Sequence, residues 1–168
     1  KEILKKKLAD EVWYIPCFKH SFGKKLAQWK YRWDMLKLME EPRIKCSDIE
    51  FQRKGISYTI DTVRALKKIY PRHEFVWVIG SDLVKDKSYR KWEKWKELTN
   101  EIKFWVIQRR GFEINASSLL SCFVLLDIKT LNISSTLIRE QLKNKLSIKG
   151  MVPSKVEKYI SEKKIYRD

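Results

Sequence analysis

Short runs of consecutive apolar residues alternate along this chain with stretches in which apolar residues recur every three or four positions. The runs that we take as candidate β-strands are Val12–Ile15, Ile44–Ile49, Phe75–Ile79, Phe104–Ile107 and Phe123–Leu126. Most are apolar on successive residues rather than on alternate ones, which is typical of parallel strands buried on both faces. We therefore predict a parallel sheet with helices on both sides.

The stretches between the runs have the spacing of amphipathic helices. One stretch carries Leu26, Trp29, Trp33, Leu36 and Met39, and another carries Ile60, Val63, Leu66 and Ile69. Strand and helix therefore alternate, and crossovers between parallel strands are almost always right-handed. The pattern predicts an α/β fold with a Rossmann-like parallel sheet.

The C-terminal part of the chain, about 134–168, is predicted to be helical. Helical periodicity covers Ser134–Lys143 and Pro153–Lys163, and Gly150 marks a turn between them. Pro153 suits a first helical turn, where a missing N–H leaves no helical hydrogen bond unmade. Because 168 residues with 43% hydrophobic content can bury one substantial core, we predict a single domain, 1–168. A homo-oligomer stays open.

The net charge of +16 is the strongest feature of the composition. Such an excess attracts anions, which include nucleic acid, nucleotide phosphates and acidic membrane surfaces. The lysines are scattered over every predicted helix, however, and scattered charge is typical of solvated surfaces. No apolar run approaches the roughly 18 to 20 residues that span a bilayer, and Lys1–Lys7 lacks the apolar core of a signal peptide. We predict a cytoplasmic protein with no membrane contact, for which nucleic acid is an unlikely partner.

The cysteines and histidines do not suggest a disulfide or a metal site. Cys17, Cys46 and Cys122 are far apart and odd in number, so we interpret them as reduced, buried thiols. His20 and His73 are too few and too separated for a histidine-based metal site.

Four polar segments follow strand runs or open helices, and they are the candidates for chemistry. They are Gly55–Thr59, Gly80–Asp82, Arg109–Gly111 and Ile133–Arg139. In an open parallel sheet, ligands bind beyond the carboxyl ends of the strands. Neither a Walker A sequence nor G-x-G-x-x-G occurs, so a nucleotide site must be built otherwise.

The segment Ile133–Arg139 places hydroxyl groups at the start of a predicted helix. The N–H groups and the dipole at a helix N-terminus favour phosphate, and Arg139 follows about one turn later. The segment is a candidate phosphate site. The ordinary alternative is that Ser134 or Ser135 only caps the helix.

Two further segments offer polar contacts to a ligand. Gly80 ends a strand and Asp82 follows, where a carboxylate could accept hydrogen bonds from a ribose, although Gly-x-Asp is also ordinary turn chemistry. Ser57, Tyr58 and Thr59 could bind a substrate through backbone and hydroxyl groups, or Thr59 could simply cap a helix.

Trp92 and Trp95 lie in a strongly basic stretch, Lys85–Lys96. A large aromatic ring there could stack on a flat ligand ring. The alternative is that both rings pack inward from a short helix, and we assign Trp95 to the core.

Six segments, taken in order, resemble bacterial nicotinate mononucleotide adenylyltransferases. They are Ser-Tyr-Thr-Ile-Asp-Thr (57–62), Val-Ile-Gly-Ser-Asp (78–82), Lys-Trp-Glu-Lys-Trp-Lys-Glu-Leu (91–98), Arg-Arg-Gly (109–111), Ile-Ser-Ser-Thr-Leu-Ile-Arg (133–139) and Val-Pro-Ser-Lys-Val-Glu-Lys-Tyr-Ile (152–160). Each is weak alone, but their order and nearly correct spacing are specific. The match extends from about Asp10 to Tyr166.

The resemblance implies a reaction and a role for each candidate residue. The phosphate of nicotinate mononucleotide would attack the α-phosphorus of ATP, which enters with Mg²⁺, and pyrophosphate would leave. The catalytic residues that neutralise phosphate charge would be Arg139 and Lys24. The ATP-binding residues would be Gly80, Asp82, Ile133, Ser134, Ser135 and Thr136. The residues that bind the mononucleotide would be Ser57, Tyr58, Thr59, Trp92 and Arg109.

The chain departs from the family pattern in three places. The loop from Asp82 to Trp92 is longer than usual, and Arg110 stands where the family commonly has proline. The segment Pro16–Lys25 replaces the usual Pro-Pro-His-Lys stretch, and Lys24 or Lys25 is then the candidate for phosphate contact.

Three other functions stay open at this level. A related enzyme could transfer the nucleotide to another phosphorylated acceptor, as phosphopantetheine or glycerol phosphate transferases do. The charge and the tryptophans also suit a nucleic-acid-binding module. The third alternative is a noncatalytic relative that only binds nucleotide.

The resemblance also predicts that the chain as printed is a poor catalyst. The family opens with a strand, a Gly-x-Phe-x-Pro-x-His-x-Gly-His loop and a helix, and Lys1 falls near the end of what resembles that helix. The loop histidines would stabilise charge on the ATP phosphates, and losing one such donor typically slows a reaction about 100-fold to 1,000-fold. A version extended upstream should therefore release pyrophosphate at least about 100-fold faster in a coupled assay. Turnover of about 1 per second by the short chain would contradict this prediction.

Overall fold

The computed structural model describes residues 1–128 and 130–166. These residues form two compact units, which we describe separately. The first unit comprises residues 1, 3–55 and 133–166, and the second comprises residues 2 and 56–132. A single domain over 1–168 stays a prediction, and residues 167 and 168 of its C-terminal part lie outside the described residues.

Strands and helices alternate along the chain, as the apolar pattern predicts. The strands are β1 (Val12–Tyr14), β2 (Lys19–His20), β3 (Ile44–Cys46), β4 (Ile56–Ser57), β5 (Val76–Gly80), β6 (Lys103–Ile107) and β7 (Phe123–Leu126). The helices are α1 (Glu2–Lys5), α2 (Trp29–Lys37), α3 (Ile49–Arg53), α4 (Thr59–Ile69), α5 (Ser81–Lys85), α6 (Trp95–Glu101), α7 (Ser135–Lys143) and α8 (Ser154–Glu162). Two 3-10 helices cover Ser88–Lys91 and Ala116–Ser118.

In the first unit, β1 pairs in parallel with β3, and Val12 lies opposite Ile44. The connection between them contains α2, so the two strands form a β-α-β crossover of the predicted kind. A hydrophobic cluster forms around the C-terminal helices, and its buried members are Leu142, Ile148, Val156, Ile160 and Ile165. The Tyr159 hydroxyl donates to Asp34 Oδ2 at 2.6 Å, which joins α8 to α2.

The second unit is built on a parallel three-stranded sheet in the order β5-β6-β7. The residue pairs Gly80 with Ile107 and Ile107 with Leu126 align the carboxyl ends of the strands. Phe104 and Val106 of the central strand are fully buried with Ile60, Val63 and Leu98 of the covering helices. The predicted α/β class with parallel strands and covering helices is therefore confirmed.

Several predicted boundaries and burials differ in the structure. The strand predicted for Ile44–Ile49 ends at Cys46, because Asp48 is the N-cap of α3 and Ile49 begins that helix. Tyr58, rather than Thr59, is the N-cap of α4. Ile69 ends the apolar stripe of α4 but is 56% exposed, because a stripe at 3.6 residues per turn can run past the sheet that it covers. Pro153 is the N-cap of α8 rather than a residue of its first turn.

Two other expectations from the composition can be compared with the structure. Cys17, Cys46 and Cys122 are free thiols, although only Cys122 is buried and the other two are half-buried. Burial raises the pKa of Cys46 to about 11, so this thiol is protonated at neutral pH. Within the described ranges, no helix is long and apolar enough to cross a membrane.

The link between Tyr159 and Asp34 predicts a stability loss at high pH. Burial, and then the hydrogen bond and charge of Asp34, raise the pKa of Tyr159 to about 12. A phenol whose pKa is higher in the folded state than in the unfolded state, about 10, stabilises the fold fully below pH 10 and loses that contribution as the pH rises towards 12.

Tyr159→Phe should lower the free energy of unfolding by about 1 kcal/mol at pH 8, since one hydrogen bond is lost. The difference between variant and wild type should shrink from pH 10 to 12 in urea unfolding measured by circular dichroism. A difference that is constant over this range would show that Tyr159 does not titrate as described.

Candidate functional site

The carboxyl end of the sheet in the second unit gathers three of the predicted residues. Because β5, β6 and β7 end in register, the segments that follow them begin at one edge of the sheet. Arg109 Nη1 donates to Asp82 Oδ2 at 3.3 Å, and the Arg109 backbone N–H donates to Ser81 Oγ at 2.8 Å. The turns after β5 and β6 are thereby joined.

Gly80 lies against these two side chains with no room for a side chain of its own. A Cβ atom at this position would lie 2.2 Å from Asp82 Oδ1 and 2.6 Å from Arg109 Nε. Both distances are far below van der Waals contact, so any larger residue would displace Asp82 and Arg109. The structure therefore brings Gly80, Asp82 and Arg109 together, as expected for residues of one site.

The Asp82 carboxylate has one oxygen paired and one unpaired. Oδ2 accepts from Arg109, whereas Oδ1 is buried and has no hydrogen-bond partner among the described residues. A buried acceptor without a donor costs about 1 to 3 kcal/mol. Asp82 Oδ1 is thus an acceptor without a donor, and a ligand hydroxyl could reach it only if the side chain turned. The Asp82 side chain is 28% exposed and that of Arg109 is 54% exposed, so both are accessible.

The loop after β6 is organised by contacts that the sequence did not suggest. Gln108 Nε2 donates to the Ile114 carbonyl at 2.8 Å, and Gln108 Oε1 accepts from the Ile114 N–H at 3.3 Å. Lys85 Nζ donates to the Gly111 carbonyl at 3.2 Å. The first two bonds join the start of the loop that carries Arg109 to its end, and the third joins the loop to α5. A glutamine after a strand has no distinctive sequence signal, and Ser81, which is fully buried, was also missed.

Ser57, Tyr58 and Thr59 lie together at the start of α4. Ser57 ends β4, Tyr58 is the N-cap, and Thr59 is the first helical residue. The Tyr58 carbonyl accepts from the Thr62 N–H at 3.2 Å, and the Tyr58 ring packs against the core of the second unit. The first four N–H groups of a helix lack acceptors within the helix. The segment can therefore offer donors to an anionic group.

Trp92 and Trp95 both contact the core. The Trp95 ring lies 5.3 Å from the Phe104 ring and 5.9 Å from the Phe123 ring, so it packs against the core as expected, although it is only half-buried. The Trp92 ring lies 6.0 Å from that of Phe104 and is half-buried.

Trp92 also lines an open depression of about 620 Å³. The other lining residues are Arg90, Lys94, Trp95, Lys96, Glu97 and Leu120. Gly80, Asp82 and Arg109 are not among the lining residues. A stacking role for Trp92 stays a prediction.

In the first unit, the predicted phosphate segment forms the N-terminus of α7. The Ser134 hydroxyl accepts from the Leu137 N–H at 3.0 Å, so Ser134 is the N-cap, as the ordinary alternative proposed. Ser135 and Thr136 are exposed, and Ile133 before them is half-buried. Arg139 Nη2 donates to Thr136 Oγ1 at 3.3 Å, which directs the guanidinium towards the start of the helix.

Lys24 lies in the exposed part of the segment between β1 and α2. The pKa of His20 is lowered by burial and then by the charge of Lys24. Arg32 of α2 donates to backbone carbonyls of the same segment. Sequence reasoning missed Arg32, because an arginine in a predicted helix is usually a solvated residue.

A metal site built by the protein alone is not found in the part of the chain that the structure describes. No group of three or more His, Cys, Asp or Glu side chains lies where it could hold a metal ion. Mg²⁺ usually binds one or two carboxylates together with substrate phosphates, so it does not require such a group. Asp82 offers a carboxylate at the carboxyl edge of the sheet.

The sequence was compared with known families and curated proteins. Residues 2–141 match the family model described as cytidylyltransferase-like. The chain is 34% identical to the nicotinate-nucleotide adenylyltransferase of Bacillus subtilis, over 98% of this chain and 87% of that protein. It is 36% identical to a probable nicotinate-nucleotide adenylyltransferase of Bacillus licheniformis with the same coverage. A probable enzyme of that name from Shouchella clausii is 38% identical over 95% of this chain and 82% of its own length.

The structure was compared with solved structures. It is similar to the Plasmodium falciparum nicotinic acid mononucleotide adenylyltransferase complexed with NaAD, with a TM-score of 0.78 and 23% identity. The match covers 98% of this chain and 89% of that chain. The same Plasmodium falciparum enzyme complexed with APC gives a TM-score of 0.76 at 22% identity. At these identities the likeness shows the fold, which is the Rossmann-like α/β fold predicted from the sequence.

Proposed function

Because this chain belongs to the cytidylyltransferase-like family and, within it, to the nicotinate-nucleotide adenylyltransferases, we propose that it transfers the adenylyl group of ATP to nicotinate mononucleotide. The reaction releases pyrophosphate and forms the dinucleotide precursor of NAD. The observation that carries this conclusion is the match to curated relatives over nearly the whole length of both chains. The cluster of Gly80, Asp82 and Arg109 supports it from the structure.

The reaction needs positioning and charge neutralisation rather than a covalent enzyme intermediate. A phosphate oxygen of the mononucleotide attacks the α-phosphorus of ATP, and the bond from that phosphorus to the pyrophosphate oxygen breaks. Two anionic groups must approach each other, so cations and N–H donors lower the barrier. A protein with 37 lysine and arginine residues against 21 acidic ones has the required excess of cations.

In the first unit, we assign the ATP phosphates to the N-terminus of α7. This helix has nine residues, and the N–H groups of its first turn and its dipole favour an anion. Ser135 and Thr136 present exposed hydroxyls, and Ile133 lies two residues before the first residue of the helix. Ser134 uses its oxygen as the cap but keeps its hydroxyl hydrogen as a donor. Arg139 adds a full positive charge.

In the second unit, we assign the adenosine ribose of ATP to Gly80 and Asp82. Without a side chain, Gly80 leaves room for Asp82 and Arg109 at the end of β5. Asp82 Oδ1 has no hydrogen-bond partner among the described residues, and a turn of the side chain would offer it to a ribose hydroxyl. Arg109 is assigned to the phosphate of the mononucleotide, which would compete with Asp82 for the exposed guanidinium.

We assign the pyridine ring and its carboxylate to residues of the second unit. Lys24, which belongs to the first unit, is assigned to a phosphate. Ser57, Tyr58 and Thr59 offer N–H and hydroxyl donors at the start of α4 to the carboxylate. Trp92 offers the exposed part of its ring for stacking. Lys24 is exposed and carries a mobile ammonium group that suits a phosphate.

We propose Mg²⁺ as the divalent ion, bound with the ATP phosphates. It would neutralise charge on the phosphate oxygens of ATP. Held by the ATP phosphates, the ion needs no cage of protein carboxylates.

The function is tested with a panel of acceptors at enzyme concentrations that reveal slow turnover. With ATP and Mg²⁺, nicotinate mononucleotide should yield pyrophosphate and a dinucleotide that chromatography detects. Phosphopantetheine and glycerol phosphate should yield neither product. Product from either of these acceptors, but not from the mononucleotide, would contradict the proposal.

Arg139→Ala should weaken ATP binding while leaving the fold intact. The loss of a charge-assisted hydrogen bond predicts a decrease of about 1.5 to 3 kcal/mol in binding free energy, or about 10-fold to 150-fold in Kd. Lys143→Ala is the control, because it removes one positive charge from the other end of the same helix. Calorimetric titration with ATP should separate the two variants. Equal ATP affinity for both folded variants would remove the proposed role of Arg139.

A further inference from the structure

We call residues 15–28, which lie between β1 and α2, the connecting loop. It leaves the carboxyl end of β1, the edge of a parallel sheet where ligands bind. The loop carries Lys24 and contains only the two-residue strand β2 as regular structure. With so little regular structure, its backbone carbonyls need partners from elsewhere.

Arg32, in the first turn of α2, supplies these partners at both ends of the connecting loop. Its Nη1 donates to the Cys17 carbonyl at 2.5 Å, and its Nη2 lies 3.5 Å from the Phe18 carbonyl. Its Nε donates to the Ala27 carbonyl at 2.8 Å. One guanidinium therefore ties the beginning of the loop to its end.

The guanidinium is itself held in place by an aromatic ring. Arg32 Cζ lies 5.5 Å from the centre of the Phe51 ring, at the distance of a cation–π contact. Phe51 is buried and contacts the rings of Phe18 and Trp29. Burial lowers the pKa of Arg32, but an arginine stays charged at neutral pH. The Phe51 ring therefore holds one face of the Arg32 guanidinium, and the backbone carbonyls of the loop hold its edge.

We infer that Arg32 is a positioning residue: it holds the connecting loop in the conformation that presents Lys24 to a substrate phosphate. The inference rests on the proposed function. A loop that is already ordered loses no conformational entropy when the ligand binds, so the ligand binds more tightly. The planar guanidinium has five donors in a fixed geometry, and a lysine ammonium cannot bond both ends of the loop in the same way.

The chain offers a matched control in Arg43. Arg43 Nε donates to the Asp10 carbonyl at 2.7 Å, and its Nη2 donates to the Ala9 carbonyl at 2.9 Å. Arg43 therefore makes the same kind of contact, but to the segment before β1 rather than to the connecting loop. Removing it costs hydrogen bonds and one charge without touching the loop.

The test compares Lys24→Ala, Arg32→Ala, Arg32→Lys and Arg43→Ala with the wild type. Calorimetry gives the Kd for nicotinate mononucleotide and for ATP, steady-state assays give KM and kcat, and hydrogen exchange reports on residues 15–28. Lys24→Ala identifies the substrate whose phosphate Lys24 contacts, and both Arg32 variants should raise the Kd and KM for that same substrate about tenfold, the scale of a lost hydrogen bond. The Kd for the other substrate should change less than about twofold, and exchange in the loop should accelerate. Arg43→Ala should change neither Kd.

Two outcomes would overturn the inference while the proposed function stands. One is an unchanged Kd for the substrate that Lys24→Ala identifies in a folded Arg32 variant, and Arg32→Lys serves if Arg32→Ala does not fold. The other is an equal loss of affinity for both ligands in the Arg32 and Arg43 variants, which would indicate general destabilisation. A wild type that binds ATP but not the mononucleotide would instead refute the proposed function, and the inference with it.

Discussion

The parallel pairing of β5, β6 and β7 is the constraint on which the site of the second unit depends. Parallel strands that pair in register end at one edge, so the residues after them converge without being close in sequence. The register that packs Phe104 and Val106 into the core also places Gly80 opposite Ile107, at the ends of their strands. Core packing and site geometry are therefore consequences of the same hydrogen-bond ladder.

Three arginines of this protein have different hydrogen-bond partners because their surroundings differ. Arg32 is half-buried and bonds backbone carbonyls, so it orders a loop. Arg109 is exposed and paired with Asp82, and in the proposed function it exchanges that carboxylate for a phosphate. Arg139 is directed along α7 towards the helix N-terminus, where phosphate is favoured. The net charge of the chain says nothing about these distinctions, since it counts all three alike.

Catalysis by positioning explains why such contacts matter in a nucleotidyltransferase. No side chain of the chain needs to form a bond with substrate, so rate and affinity depend on how well anionic groups are held. Gly80 leaves room for Asp82 and Arg109 by lacking a side chain, and Asp82 has one carboxylate oxygen without a hydrogen-bond partner among the described residues. The loops that carry the cations are tied by hydrogen bonds from Gln108 and Arg32. These bonds reduce the freedom that substrate binding would otherwise have to remove.

The sequence by itself determined the class of fold, the positions of β1, β3, β5, β6 and β7 and, through six short segments, the family. These are local properties, because the spacing of apolar residues, the start of a helix and the residues of a motif are all set by residues that are close in sequence. The tertiary structure decided that Trp92 packs beside Phe104 and that Asp82 pairs with Arg109. It also placed Arg32 across the connecting loop and Tyr159 on Asp34. Such contacts join residues that are distant in sequence, and only the packing of the elements sets the distances between them.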